Sequence, residues 1–202
     1  MGTESIVLTP IPAPLRWDLP PAGWNIGADG ALSIAAGPRT DMFVNPDGTD
    51  AVLNAPRLVF AAEGDFMLSA RVTVEFAATF DAGVLLLYAN ERSWGKLCFE
   101  YSPRRQPMIV SVVTQGYSDD ANAYVVTGNQ TFLRVSRLGR AFAFHASADG
   151  AAWQLIRHFT LEPVSPIAAG FVAQSPTGDG CTATFQQIVY SAARLADLRG
   201  GM

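Results

Sequence analysis

From residue 23 to 190 the chain runs in short segments where apolar and polar positions alternate, broken by turn residues, and no stretch carries the spacing of a long amphipathic helix. Twelve strands are predicted: 24–26, 31–35, 57–61, 65–76, 82–88, 94–101, 108–115, 131–138, 140–147, 153–160, 168–173 and 183–191. That many short strands in one chain favour two antiparallel sheets packed face to face, about 10 Å apart. Asp149-Gly150 and Asp29-Gly30, each between two such runs, supply the positive φ that a tight hairpin needs. Residues 1–22 hold five prolines between Pro10 and Pro21 and read as an extended arm, laid over the sandwich or tethering it to something else. The sandwich is expected over 23–191. Residues 192–202 form a short helix or tail, with Leu195 and Leu198 as its apolar stripe.

The chain of 202 residues is 49% hydrophobic, enough for one core, and only 16% charged, below the roughly 25% of soluble proteins. A net charge of −4 provides no basic face for a phosphate backbone, so nucleic acid is not an expected partner. The longest aliphatic and aromatic run, Val84–Tyr88, is far short of a membrane span, and no secretory signal is visible at the N-terminus. The expected compartment is cytoplasmic.

Cys98 and Cys181, 83 positions apart, make neither a metal knuckle nor a redox pair and read as two buried thiols in preference to a disulfide. With only His145 and His158, no three-histidine zinc site can be built, and neither HExxH nor a GxSxG elbow occurs. No cofactor and no metal are expected. Asp47, Asp50, Asp119, Asp120 and Asp179 are oxygen donors in loops, read as solvated turn chemistry because no dense calcium loop is present.

Strand alternation puts Leu97, Phe99 and Tyr101 on one face and Lys96, Cys98 and Glu100 on the other. Lys96 and Glu100, about 13 Å apart along a strand, must each find partners on neighbouring strands or in solvent. The next run, MIVSVVTQ, is apolar on both faces, as a strand covered from both sides would be. Arg134 and Arg157 stand among apolar neighbours and call for carboxylate partners. Asp81 opens the most apolar strand, and Asp41 stands before Met42-Phe43. These charges read equally as a structural network or as the lining of a polar groove.

Seven motifs follow in order: TDMF (40–43), DAGVLL (81–86), WGKLCFE (94–100), SVVTQGYSD (111–119), LRVSRLG (133–139), SADGAAWQLIR (147–157) and SPTGDG (175–180). In this series the chain resembles the regulation-of-enolase family of concanavalin A-like proteins, a family of unknown function. The resemblance implies an all-β, concanavalin A-like jelly-roll sandwich of two curved antiparallel sheets. Where that family often has Asp-Gln-Ala-Gly, this chain has Asp81-Ala82-Gly83.

Three functions are weighed. The first is non-catalytic binding of a carbohydrate-like or small polar ligand in a groove on the concave sheet. Asp81, Lys96, Glu100 and Arg157 would line it, with Asp41, Ser111, Thr114, Arg134 and Ser175 as further candidates. Trp94, Tyr117 and Tyr124 are candidate sugar platforms, Trp94 reading more readily as core. The second is a glycoside-active enzyme, in which Asp81 and Glu100 could pair only if their strands are neighbours, and which lacks an E-x-D-x-x-E strand. The third is a regulatory or scaffolding protein acting through protein contacts, including a homo-oligomer.

Overall fold

The computed structural model describes residues 5–202. In chain order the strands are β1 (Arg16–Leu19), β2 (Gly23–Ile26), β3 (Leu32–Ala36), β4 (Met42–Val44), β5 (Ala51–Leu53), β6 (Arg57–Ala62), β7 (Phe66–Val74), β8 (Ala82–Asn90), β9 (Ser93–Tyr101), β10 (Pro107–Gln115), β11 (Tyr117–Val125), β12 (Gln130–Leu138), β13 (Ala141–Ser147), β14 (Gln154–Thr160), β15 (Ile167–Gln174) and β16 (Cys181–Ser191). One sheet has the order β1-β6-β15-β8-β9-β10-β11, the other β14-β13-β12-β7-β16-β3-β2, and β4-β5 is a separate hairpin. All pairings are antiparallel. This is the concanavalin A-like jelly-roll sandwich that the family resemblance implies.

All twelve predicted strands form, and four more join them: β1, β4, β5 and β11. The last carries Asp119 and Asp120, which the sequence places in loops. It is an edge strand whose exposed residues need no apolar alternation, so hydrophobic periodicity is silent there.

β7 shows why the two sheets stack. Its Phe66, Leu68, Ala70, Val72 and Val74 are buried while the residues between them are only partly covered, so one face of the strand turns to the core. Phe171 of β15 and Phe185 of β16 meet edge-on across the inter-sheet space, 5.0 Å between ring centroids. Cys98 and Cys181 are both buried and free.

The first sheet differs because β8, β9 and β10 are buried on both faces. Val84, Leu86, Trp94, Cys98, Val110, Val112 and Val172 form a second apolar layer on its outer side, capped by Met42 and Ala55 from the segment that carries the β4-β5 hairpin. That flap is tied down by polar contacts. Thr40 bridges Ser175, the Asn54 side chain accepts from the Asp41 N–H and donates to the Arg39 carbonyl, and the Val44 N–H donates to Ser118 Oγ.

The N-terminal segment is part of the fold: Ile6 bridges Leu15, Ile6, Leu8, Ile11 and Leu15 are buried in the main core, and β1 extends the first sheet. Residues 192–202 contain turns and no helix. They lie as a tail against the outer face of the second sheet, where Leu195 is buried, His145 Nε2 meets the Leu198 carbonyl at 2.9 Å and Arg134 donates to the Gly201 carbonyl at 2.6 Å. The two outermost strands β14 and β11, one from each sheet, are joined by Arg157, which donates to the Asp119 carbonyl at 3.1 Å and pairs with its carboxylate at 3.0 Å.

Gly170 of β15 packs against β6 so closely that a Cβ there would overlap the Leu58 carbonyl oxygen. Because the obstacle is ladder backbone that cannot swing aside, Gly170→Ala is expected to lower stability by about 3 kcal/mol. Urea unfolding followed by tryptophan fluorescence checks this, and an unchanged midpoint would mean that the two strands separate without cost.

Candidate functional site

The apolar strands β8 to β10 require a cover, and the cover leaves a gap. It is a cavity of about 200 Å³ on the outer face of the first sheet, lined by Asp41, Phe43, Phe80, Lys96, Glu100, Val110, Val112, Asp120 and Gln174. Strand alternation accounts for most of this lining: Lys96 and Glu100 share a face of β9, and register sets Val112 between Lys96 and Asp120.

Lys96 is almost wholly buried in the floor, its ammonium 2.9 Å from Gln174 Oε1 and 3.3 Å from Asp41 Oδ1, and 5.7 Å from the ring centre of the buried Trp94. Burial works against the charged form. The Asp41 carboxylate, ahead of Cys98 and Glu100, more than offsets this, and the pKa of Lys96 is raised. Glu100 makes no side-chain hydrogen bond or ion pair with any described residue. Burial pushes its carboxyl up to about 8, with the Lys96 charge opposing and the carboxylates of Asp41 and Asp120 adding to the rise. The same burial pushes the Cys98 thiol far upward, so it is inert as a nucleophile.

Phe80 enters the cavity wall through an unusual backbone. Its φ is 70°, a region that non-glycine residues seldom occupy. The turn that holds it is organised by Asp81, whose Oδ2 accepts the N–H groups of Ala77 and Ala78 at 2.8 and 2.7 Å, while Oδ1 accepts Ser175 Oγ–H at 2.6 Å. Phe80 N–H donates to the Tyr101 carbonyl, and Thr177 Oγ1 donates to the Thr79 carbonyl.

Of the nine residues named from the sequence, the structure brings Lys96, Glu100 and Asp41 together at the cavity. The other six are elsewhere. Asp81 is wholly buried and engaged in its turn, and Ser175, its partner, also bridges Thr40, so both are structural. Arg157 lies on the opposite sheet and closes an edge. Its strand bulges beside Phe144, so the residue turns toward the inter-sheet edge and not toward the cavity. Arg134 is on the outer face of that same sheet, stacked 4.1 Å from the Trp153 ring centre under the tail. It has a ring and a carbonyl where a carboxylate was expected, and burial lowers its pKa to about 10. Ser111 shares the inward face of β10 with Ile109 and Val113. Thr114 is on the outer face, but its hydroxyl is bonded to Ser118 Oγ at 2.8 Å, where it steadies the anchor of the flap.

Trp94 is wholly buried and Tyr124 packs against the inter-sheet core, so neither offers a platform in the cavity. Sequence reasoning missed Gln174, Asp120, Phe43 and Phe80 as lining residues. Gln174 carried a usable signal, a polar residue closing the apolar strand IAAGFVAQ. Asp120 was lost with β11, and Phe80 cannot be placed without its turn. No group of three or more His, Cys, Asp or Glu among the described residues could hold a metal ion.

Fold and cavity together define a concanavalin A-like β-sandwich with a small polar pocket on one outer face. The chain belongs to a family described as proteins of unknown function (DUF1349), whose model matches residues 17–193 and carries no reference to enolase. Among solved structures it is similar to a functionally unknown protein from Saccharomyces cerevisiae, with TM-score 0.79 and 23% identity over 88% of this chain and 95% of that one. It is also similar to the GH43 protein BlXynB from Bacillus licheniformis, with TM-score 0.71 and 16% identity over 89% of this chain but only 37% of that one. A third likeness is to the carbohydrate binding module CBM66 from Bacillus subtilis, with TM-score 0.55 and 12% identity over 87% and 94% of the two chains. No curated protein matches the sequence.

The raised pKa of Glu100 generates a stability prediction. Unfolded, its carboxyl ionises near the ordinary 4.5, while folded it keeps its proton to about 8. The unfolded state therefore releases a proton that the folded state retains, and stability falls as pH rises from about 4.5 to about 8. Glu100→Gln removes that equilibrium. Between pH 5 and pH 8 the wild type is expected to lose on the order of 3 kcal/mol more than the variant in urea unfolding. Parallel curves would mean that Glu100 ionises normally.

Proposed function

We propose that this protein is a non-catalytic binding module for a carbohydrate-like ligand, seated in the cavity on the outer face of the first sheet. The observation that carries the reading is the joining of a fixed polar floor, Lys96 with Asp41 and Gln174, to two aromatic side chains, Phe43 and Phe80, around one recess. Planar hydrogen-bonding groups beside aromatic faces suit a sugar ring, which presents hydroxyls at its edge and C–H groups on its face. The volume of about 200 Å³ is below the usual span of sites for larger organic ligands, and it favours one ring over an extended oligosaccharide. The likeness to a carbohydrate binding module supports the reading at the level of fold.

A second reading is a glycoside-active enzyme, favoured by one observation. A carboxyl that keeps its proton near neutral pH, as Glu100 does, is what a general acid requires. β8 and β9 are neighbours, but the buried and fully bonded Asp81 is not free to serve as the second carboxyl. Asp120 is the carboxylate left for that part.

Thermal shift against a panel of mono- and oligosaccharides tests the binding reading. A ligand at a hundred times its Kd adds about 2.7 kcal/mol to stability. At least one monosaccharide is expected to raise the melting temperature, and Phe80→Ala is expected to weaken its binding about tenfold, equivalent to about 1.4 kcal/mol. No stabilisation by any sugar would overturn the proposal. Hydrolysis of chromogenic glycosides that disappears in Glu100→Gln would replace it with the enzyme.

A further inference from the structure

The charges around the cavity are unequal in number and in engagement. Lys96 is the one cation in the lining, and it is already held by Asp41 and Gln174. Glu100 and Asp120 have no ion-pair partner among the described residues, and Arg157 of β14, which reaches the β11 edge, pairs with Asp119. Phe43 and Phe80 complete the wall, and aromatic faces attract cations as well as C–H groups. The carboxyls do not converge on a point where a metal ion could take three of them.

We propose that the pocket selects a ligand carrying an amine, an amino sugar in preference to a neutral sugar or a sugar acid, with its ammonium placed between Glu100 and Asp120. The inference rests on the carbohydrate reading of the same cavity. A sugar acid would bring a negative group beside the Asp120 carboxylate and a Glu100 carboxyl that already resists ionisation, while Lys96, the cation of this lining, is held by Asp41. A neutral sugar gives neither the Glu100 carboxyl nor the exposed Asp120 carboxylate a cation to pair with. An ammonium supplies three donors and a positive charge to acceptors that lack both.

Groups facing Glu100 are Lys96 and Cys98 on its own strand, Asp41 from the segment before β4, and Asp120 from β11; among the described residues no histidine or arginine lines the cavity. The protonated state of Glu100 near pH 7 therefore gives way when a cation arrives. Its carboxyl O–H bond breaks, the proton passes to solvent, and the resulting carboxylate pairs with the ligand ammonium. Binding of an amine is thereby linked to proton release, and binding of a neutral sugar is not.

Isothermal titration calorimetry at pH 7, in two buffers of different ionisation enthalpy, distinguishes the outcomes. The probes are glucosamine, N-acetylglucosamine, glucose, glucuronate and methylamine. Glucosamine is expected to bind at least tenfold more tightly than the other four, with close to one proton released. Glu100→Gln is expected to abolish the proton release, and Asp120→Asn to weaken glucosamine several-fold more than it weakens glucose. Circular dichroism melts confirm that both variants fold. Equal binding of glucosamine, N-acetylglucosamine and glucose, or tighter binding of glucuronate, overturns the amine preference and leaves the carbohydrate reading standing. Methylamine binding as tightly as glucosamine overturns the carbohydrate reading and leaves the ammonium site. No binding by any of the five overturns both.

Discussion

A lysine buried in the middle of a β-sheet has to be met by a carboxylate, and in this protein that carboxylate comes from outside the sheet. Lys96 projects from the outer face of β9, and its partner Asp41 arrives on the segment that carries the β4-β5 hairpin. Leaving such an ammonium unpaired would cost several kcal/mol, so the pair fixes where the flap must lie. The flap in turn shields Val84, Leu86, Trp94, Val110 and Val112 from water. One charge pair and one apolar layer thus impose the same geometry, and the cavity is the space their union leaves uncovered.

The rim obeys a related logic. Asp81 is not a ligand group but the organiser of the turn that presents Phe80, and Ser175 and Thr177 tie that turn to the loop after β15. Backbone in a sparsely populated conformation costs of order 1–3 kcal/mol and persists only where its surroundings determine it several times over. Here the surroundings are three hydrogen bonds to one buried carboxylate, and what they hold in place is a partly exposed aromatic ring facing a cavity.

The fold was legible in the sequence because burial of a sheet face writes a period of two into the chain. β7 and β3 show it plainly, and β10, apolar on both faces, correctly announced a strand covered from both sides. β11 was invisible because an edge strand exposed on both faces has no such obligation. The site was legible in part for the same reason. Lys96 and Glu100 stood out as charges on an apolar face, and Asp41 as a carboxylate beside a buried segment. Arg134, Arg157 and Asp81 stood out just as strongly, yet their charges are answered by a ring and a carbonyl, by an edge aspartate and by a turn. Charge among apolar neighbours marks a residue that needs a partner, but which partner it finds depends on the stacking of two sheets, a relation that no local pattern contains.

The pairing of Arg157 with Asp119 has a consequence beyond stability. An open sheet invites foreign strands to dock along its margin, the route by which sandwiches polymerise. At one margin of this molecule a guanidinium rivets the last strands of both layers together, and the acidic and amide side chains of Asp119, Asp120 and Asn122 crowd the free backbone of β11. At the opposite margin β1 and β2 are joined by a three-residue crossing, with Trp17 and Trp24 in contact 5.8 Å apart over it. With both seams stitched, a strand approaching either margin meets side chains before it meets open backbone.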